Sequence, residues 1–325
     1  MNKQLSLSFL SDELTQVQTS KKEFLALMDS VIPWGEWLRI VQPHYYPGKR
    51  GNKPFPLDTM LRVHVVQNLY SLADMATMTE VIDSRAFSAF CGVESSNQVP
   101  DGDTIGKFRN LLIQSGLQEK LFAQVLTLLG DRGLLLKRGT IVDSSIFAAP
   151  SSTKNKDKQR DPDAHQTKKG KNWHFGYKAH VGVDRDSGLT HHVKATAANV
   201  HDVTVVPELL TGEEETVHGD SGYLGAQKRE EAKTKNHVGK KIRYKINRRP
   251  SQSKHASTRS KGQIKRRERE KSQIRAKVEH VFGVVKNKFK YRKTRYRGLP
   301  KQTATLNMLF ALANLYIAAT RYRLA

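Results

Sequence analysis

Across residues 20–129 the apolar positions recur every three or four residues, the spacing of one buried helix face. Ser20-Lys21-Lys22-Glu23 has the capping-box spacing ahead of Phe24, Leu27, Met28 and Val31. Asp58 stands before Leu61, Val65, Leu69 and Tyr70, and Ser71 to Asp74 repeats the box before Met75, Met78 and Val81. Asp103 precedes Ile105, Phe108, Leu111 and Leu112, and 117–129 completes the set. Short capped helices around one core are expected. Such a pattern suits a DNA-reading helical domain and equally a packing or dimerisation domain.

Beyond Gly139 the periodicity changes. Residues 140–147 form a β-branched run, and 173–183 alternate large with small or polar side chains. After the turn Asp186-Ser187-Gly188, 189–197 continues the same texture, so three strands are predicted, the last two a hairpin. A helix over 201–210, a strand over 215–219, a helix over 225–235 and a strand over 238–246 follow. A long basic helix over 263–289 and an apolar helix over 303–322 close the chain. This order predicts a mixed α/β class, a sheet with helices on its faces. The expected domains are a helical 1–137 and a sheet-based 138–325.

Composition narrows the function. The 325 residues hold 55 Lys and Arg against 31 Asp and Glu, a net charge of +24 that points to a polyanionic partner. The helical 1–137 is neutral, with 14 residues of each sign, so 138–325 carries the whole excess. Residues 235–297 alone hold 24 basic residues and three acids, Glu268, Glu270 and Glu279. A second basic stretch, 151–172, is rich in Ser, Lys, Asp and Gln and reads as a surface loop. The single cysteine, Cys91, excludes an internal disulfide framework and a cysteine-rich zinc site. MNKQLSLSFLSDEL lacks the apolar core of a secretory signal, and the longest apolar run, 306–319, contains Asn307 and Asn314 and is too short to span a bilayer. The expectation is a cytoplasmic protein with no membrane partner.

Three acids resist explanation as caps or solvated groups. Asp143 lies inside the first strand, where a lone carboxylate is expensive unless it binds a cation or pairs. Asp220 ends the fourth predicted strand between Gly219 and Gly222, a place where α/β sheets open a crevice. Glu279 is the only acid in the second half of the long basic helix. In this strand order the first and fourth strands are neighbours, which brings Asp143 and Asp220 together. Three carboxylates in a basic crevice call for divalent cations, and hard oxygen ligands favour Mg²⁺ or Mn²⁺. Two such ions suit phosphodiester displacement. Ser272, Arg275, Glu279 and Lys286 share one helix face, so a carboxylate flanked by two cations faces the phosphate, while Ile274, Val278, Val281, Phe282 and Val285 dock the other face. For Glu279 alone, an i,i+4 surface pair with Arg275 explains the spacing as well.

At these residues the chain resembles a bacterial insertion-sequence transposase of the DDE class, specifically of the IS-five type. The resemblance runs through VPDGDTIGKFR, VDSSIFAAPSSTKNKDKQRDPDAHQTKKGKNWHFGYKAHVGVD, GLTHHVKATAANVHD, GDSGYLGAQKREE, SQIRAKVEHVFGVVK and MLFALANLY. It implies an RNase H-like catalytic domain with Asp143, Asp220 and Glu279 as catalytic, metal-binding triad, holding two Mg²⁺ ions. It further implies double-stranded DNA as partner, both the element's terminal inverted repeats and the target, and a homo-oligomer, a dimer, that pairs the ends. Arg275, Glu279 and Lys286 fall on the last three positions of the family's Tyr-x2-Arg-x3-Glu-x6-Lys signature, with Ser272 in the tyrosine position. Arg275, Lys286, Lys168, Lys169 and Lys171 are the expected phosphate-positioning residues. Some relatives insert a β-domain between the second and third acids and hold a flipped base on a tryptophan there. Here 59 residues separate Asp220 from Glu279, without a tryptophan, so no large insertion is expected. Trp173 reads as a core residue at a strand start, with base stacking beside the basic loop as the alternative. His174, His180, His201 and His218 read as structural, His201 within a helix cap, with His218 the one bordering an acid of the triad. The rival functions are an RNase H-type nuclease without strand transfer and an inactive, domesticated DNA-binding protein.

Overall fold

The computed structural model describes residues 17–46, 53–154, 156, 158–249 and 258–324. The N-terminal segment examined for a secretory signal and parts of both basic stretches, including 250–257, lie outside these residues. The chain divides into two compact units, one reaching Ser115 and including 318–325, the other Gly116–Ile317.

The first unit holds α1 (Ser20–Val31), α2 (Trp34–Val41), α3 (Leu57–Leu69), α4 (Asp74–Asp83), α5 (Arg85–Cys91) and α6 (Gly102–Gln114). Helix α3 is its axis, buried at eleven of thirteen positions. Met28, Trp37, Phe87, Phe108 and Leu112 are buried in the same unit. The caps are shifted from their expected positions. Thr19, not Ser20, caps α1, its hydroxyl accepting the Lys22 N–H at 3.3 Å. Asp101, not Asp103, caps α6 by accepting the Thr104 N–H at 2.7 Å. An N-cap must have extended backbone, so acids already inside the first turn find cations instead. Asp58 thus pairs with Arg62 at 2.9 Å, and Asp74 with Arg109.

The second unit starts with α7 (Leu117–Asp131). Among the described residues its strands are β1 (Gly139–Ala148), β2 (His165–Lys169), β3 (Asn172–Asp184), β4 (Thr190–Ala197), β5 (Thr216–Gly219) and β6 (Arg243–Ile246). They join in the order β2-β3-β1-β5-β6, with β4 also on β3. Strand β1 is central, antiparallel to β3 with Asp143 opposite Val181, and parallel to β5 with Ile141 opposite His218. Between β4 and β5 stands the short α8 (Asp202–Val205), continued by a 3₁₀ turn over Val206–Leu209 that contains Pro207. Helix α9 (Thr258–Gly283) packs on β1 and β5 through buried Val278 and Val281, and its last turn widens into a π-helix, Val284–Lys288. Helix α10 (Leu299–Tyr322) is long and apolar enough to cross a membrane by length and composition alone, but 78% of its most apolar stretch is buried within the protein. It serves as a core helix. The whole is a mixed α/β fold, consistent with the RNase H-like class.

Several elements depart from expectation. The helix expected over 225–235 is only a 3₁₀ turn, Ala226–Lys228: Gly225 takes φ 90°, and Lys228 to Glu231 are exposed with no apolar face to bury. The strand expected over 238–246 shrinks to β6, because the Gly239 N–H closes a turn onto the Asn236 carbonyl and leaves Val238 exposed. Strand β2 forms inside the segment read as a surface loop, its residues mostly exposed and held by pairing with β3 alone.

Candidate active site

Asp143 sits midway along β1, and the Ser144 N–H donates to its Oδ1 at 2.8 Å. Parallel pairing runs Thr140 with Val217 and Ile141 with His218, and extending that register by two residues brings 143 beside 220. Asp220 follows the last residue of β5, where its Oδ1 accepts the Gly222 N–H at 2.8 Å and caps the 3₁₀ turn Ser221–Tyr223. A Cβ at Gly222 would stand 2.9 Å from that same Oδ1, so a larger residue there would shift the Asp220 carboxylate.

Both aspartates line one crevice of about 180 Å³. Ser144, Thr167, Lys168, Lys169, Lys178, Asp202 and Tyr223 also line it. Burial pushes the Asp143 carboxyl up to about 6; the Ser144 N–H and Arg275 oppose that shift, and the Asp220 charge adds to it. The Tyr223 hydroxyl is pushed well above its ordinary value by burial and by the charges of Asp143, Asp202 and Asp220. Asp143 and Asp220 thus share a poorly hydrated crevice, and a cation between them would offset the cost of keeping Asp143 ionised.

The predicted cations are placed unequally. Arg275 Nη2 lies 3.7 Å from Asp143 Oδ2. Lys286, in the π-helical turn, donates to Ser145 Oγ and the Ile146 carbonyl, both at 2.7 Å. Burial pulls its ammonium down to about 8, with Lys169 and Arg292 adding to the effect. Lys168 and Lys169 line the crevice, while Lys171 is exposed at the turn between β2 and β3. Glu279 does not line it. That side chain is exposed and borders a neighbouring shallow cavity with Phe282, Lys286 and Arg292. Among the described residues no cluster of three His, Cys, Asp or Glu side chains is arranged to hold a metal ion. Ser272, in the signature's tyrosine position, is exposed, its Oγ 3.4 Å from Asn247 Nδ2.

Two charged crevice residues, Lys178 and Asp202, are not among those expected from the sequence. Lys178 Nζ donates to Asp202 Oδ1 at 2.9 Å and to the Val200 carbonyl at 2.8 Å. The available signal was a lysine inside an otherwise closed, alternating strand, which demands a buried partner. Asp202 opens α8, whose cap is His201 as expected: the His201 Nδ1 accepts the Val203 N–H at 3.4 Å, leaving the neighbouring carboxylate free to pair. His180 is buried and meets Thr196 Oγ1 at 2.8 Å. His218 is fully buried in β5 without a hydrogen bond at either ring nitrogen, and burial, aided by Lys245, pulls it down to about 4, so it is neutral. His174 is half-buried in β3. Trp173 is not the core residue expected: it is 66% exposed.

Two carboxylates in a crevice whose lining holds no His or Cys suit a hard divalent cation rather than zinc. Asp143 within β1 and Asp220 just beyond its parallel neighbour β5, on an RNase H-like sheet in a strongly basic chain, form an arrangement suited to chemistry on nucleic-acid phosphodiesters. Residues 135–315 match the family described as Transposase DDE domain, and residues 12–111 match that described as Transposase domain (DUF772). No solved structure matches the chain. The chain belongs to the DDE transposase family and is a DNA transposase, in a family that generally uses divalent metal ions.

Proposed function

We propose that this is an insertion-sequence transposase of the IS-five type that binds its element's terminal inverted repeats, cuts DNA at the ends and joins the freed 3′-hydroxyls to target DNA. The observation that carries the reading is the juxtaposition of Asp143, inside β1, with Asp220, just past the end of β5, ringed by Arg275, Lys168 and Lys169. Asp143 and Asp220 would hold Mg²⁺, with Mn²⁺ as substitute and two ions per site. Glu279 is proposed as the third ligand because it lies on α9 between Arg275 and Lys286, both of which reach β1. Bound there, the cations would supply Lewis-acid polarisation of the scissile phosphate.

The side chains do the rest. Arg275, Lys286, Lys168, Lys169 and Lys171 hold phosphates and fix the DNA strand across the crevice. In the first step a water oxygen bonds to phosphorus, the P–O3′ bond breaks, and the leaving 3′ oxygen takes up a proton. In the second, that 3′-hydroxyl attacks a target phosphorus, its proton leaves, and the target's own 3′ oxygen departs. Both are direct displacements, so no covalent protein–DNA bond is needed. The helical N-terminal domain, 1–137, is proposed to bind DNA or to pair two protomers into the dimer that joins the ends.

The test is strand transfer. Labelled duplex carrying the repeats that flank the coding region is incubated with Mg²⁺ and a supercoiled plasmid. Label joined covalently to the plasmid supports the proposal. Cut ends without joined product identify a nuclease, and tight binding with neither identifies an inactive DNA-binding protein.

A further inference from the structure

Strands β2 and β3 extend beyond the sheet as an exposed two-stranded ribbon turned at Lys169-Gly170-Lys171, with Gly170 at φ 62°. Trp173 sits on it directly across from Lys168, whose Nζ is 5.9 Å from the indole centroid. An aromatic ring of this size left 66% exposed forgoes burial that the nearby core would provide. By contrast, Tyr177, four residues further along β3, is buried. The ribbon also carries Thr167, Lys168 and Lys169, which line the crevice of Asp143 and Asp220. A flat apolar face beside three lysines, at the mouth of a site for phosphodiesters, has the chemistry of a platform for a base whose backbone those lysines hold.

We infer that Trp173 stacks on an unpaired nucleobase of the DNA strand entering the crevice, with Lys168, Lys169 and Lys171 on its phosphates. This rests on the transposase reading and adds to it a DNA contact made by no acid and by no phosphate-binding cation. The contact discriminates unpaired from paired DNA, since a base inside a duplex has no free face. It gives the enzyme a grip on a frayed or melted end, and because every base has a π-face the grip is indifferent to sequence.

The experiment compares full-length wild type, Trp173→Ala and Trp173→Phe in buffer without divalent cation, so that no DNA is cut. Two probes are used: a duplex bearing a single-stranded tail with 2-aminopurine at the junction, and the same duplex fully paired. Wild type is expected to bind the tailed probe roughly tenfold more tightly than Trp173→Ala does. It should also quench the 2-aminopurine fluorescence. Trp173→Phe should retain much of both effects, and all three proteins should bind the paired duplex alike. Equal affinity and equal quenching by Trp173→Ala on the tailed probe would overturn the inference while leaving the transposase reading intact. Failure of wild type to bind either DNA would overturn the reading beneath it as well.

Discussion

Asp143 is pulled in two directions: burial and Asp220 favour its protonated form, while the Ser144 N–H and Arg275 favour the carboxylate. Asp143→Asn keeps the shape and removes the charge, so cleavage should fall by about 1,000-fold or more, with DNA affinity unchanged or higher. A gel assay of cleavage beside a filter-binding curve reads both, and matched loss of binding would contradict the assignment. His64, buried on α3, makes a separate prediction. Burial, with Arg109 adding, pulls it down to about 4 from 6.5. The unfolded imidazole takes its proton below that ordinary value and the folded one does not, so stability present at neutral pH is lost as pH falls from 6.5 toward 4. His64→Leu should shrink the difference in unfolding free energy between pH 7 and pH 4.5 by about 2 kcal/mol in urea titrations. The aspartates were legible from sequence because a strand-borne carboxylate has few cheap explanations. The Lys178–Asp202 pair was not, since nothing local tells a capping aspartate from one that reaches back to another strand. Trp173 was misread for a similar reason: alternation marks a strand but does not reveal where it leaves the sheet.

At the level of elements, the chain order of five strands and the β1–β5 adjacency were expected and are present in the fold, while β2, inside a polar, basic segment, carried no strand pattern. Helices without an apolar stripe were the failures, 225–235 above all, where charge pattern alone could not build one. Helix α9 shows how far spacing reaches. Its 275/279/286 face was predicted, and Arg275 and Lys286 do reach β1, yet Glu279 borders the next cavity while Asp202 lines the crevice. Substituting each acid decides which completes the site. If Glu279 is the third ligand, Glu279→Gln should abolish cleavage and weaken Mn²⁺ binding measured by calorimetry, whereas Asp202→Asn should retain Mn²⁺ affinity. The reverse result would transfer the role to Asp202. The β1–β3 pairing carries a further requirement: a Cβ at Gly176 would stand 2.1 Å from the Phe147 carbonyl oxygen. Because that neighbour is backbone, Gly176→Ala should cost about 2 kcal/mol or more in denaturant titration, and an unchanged midpoint would contradict this packing.

For the molecule as a whole, charge is the feature that sequence conveys best. An excess of +24, all of it in 138–325, puts the basic surface that suits a polyanion in the half that also carries the crevice. Affinity for duplex should fall with salt at a log–log slope of roughly −5, in keeping with a handful of lysines and arginines on phosphates. A slope near zero would mean that the basic surface does not hold the backbone. The central claim, that Asp143 and Asp220 form the metal-dependent cutting site of a transposase, is tested most directly by end cleavage. Purified wild type and Asp220→Ala are incubated with labelled DNA bearing the element's own end, with Mg²⁺ and with EDTA. The account predicts a specific cut at the end by wild type in Mg²⁺ only, and DNA binding without cleavage by Asp220→Ala. Cleavage that survives Asp220→Ala, or that proceeds in EDTA, would contradict it.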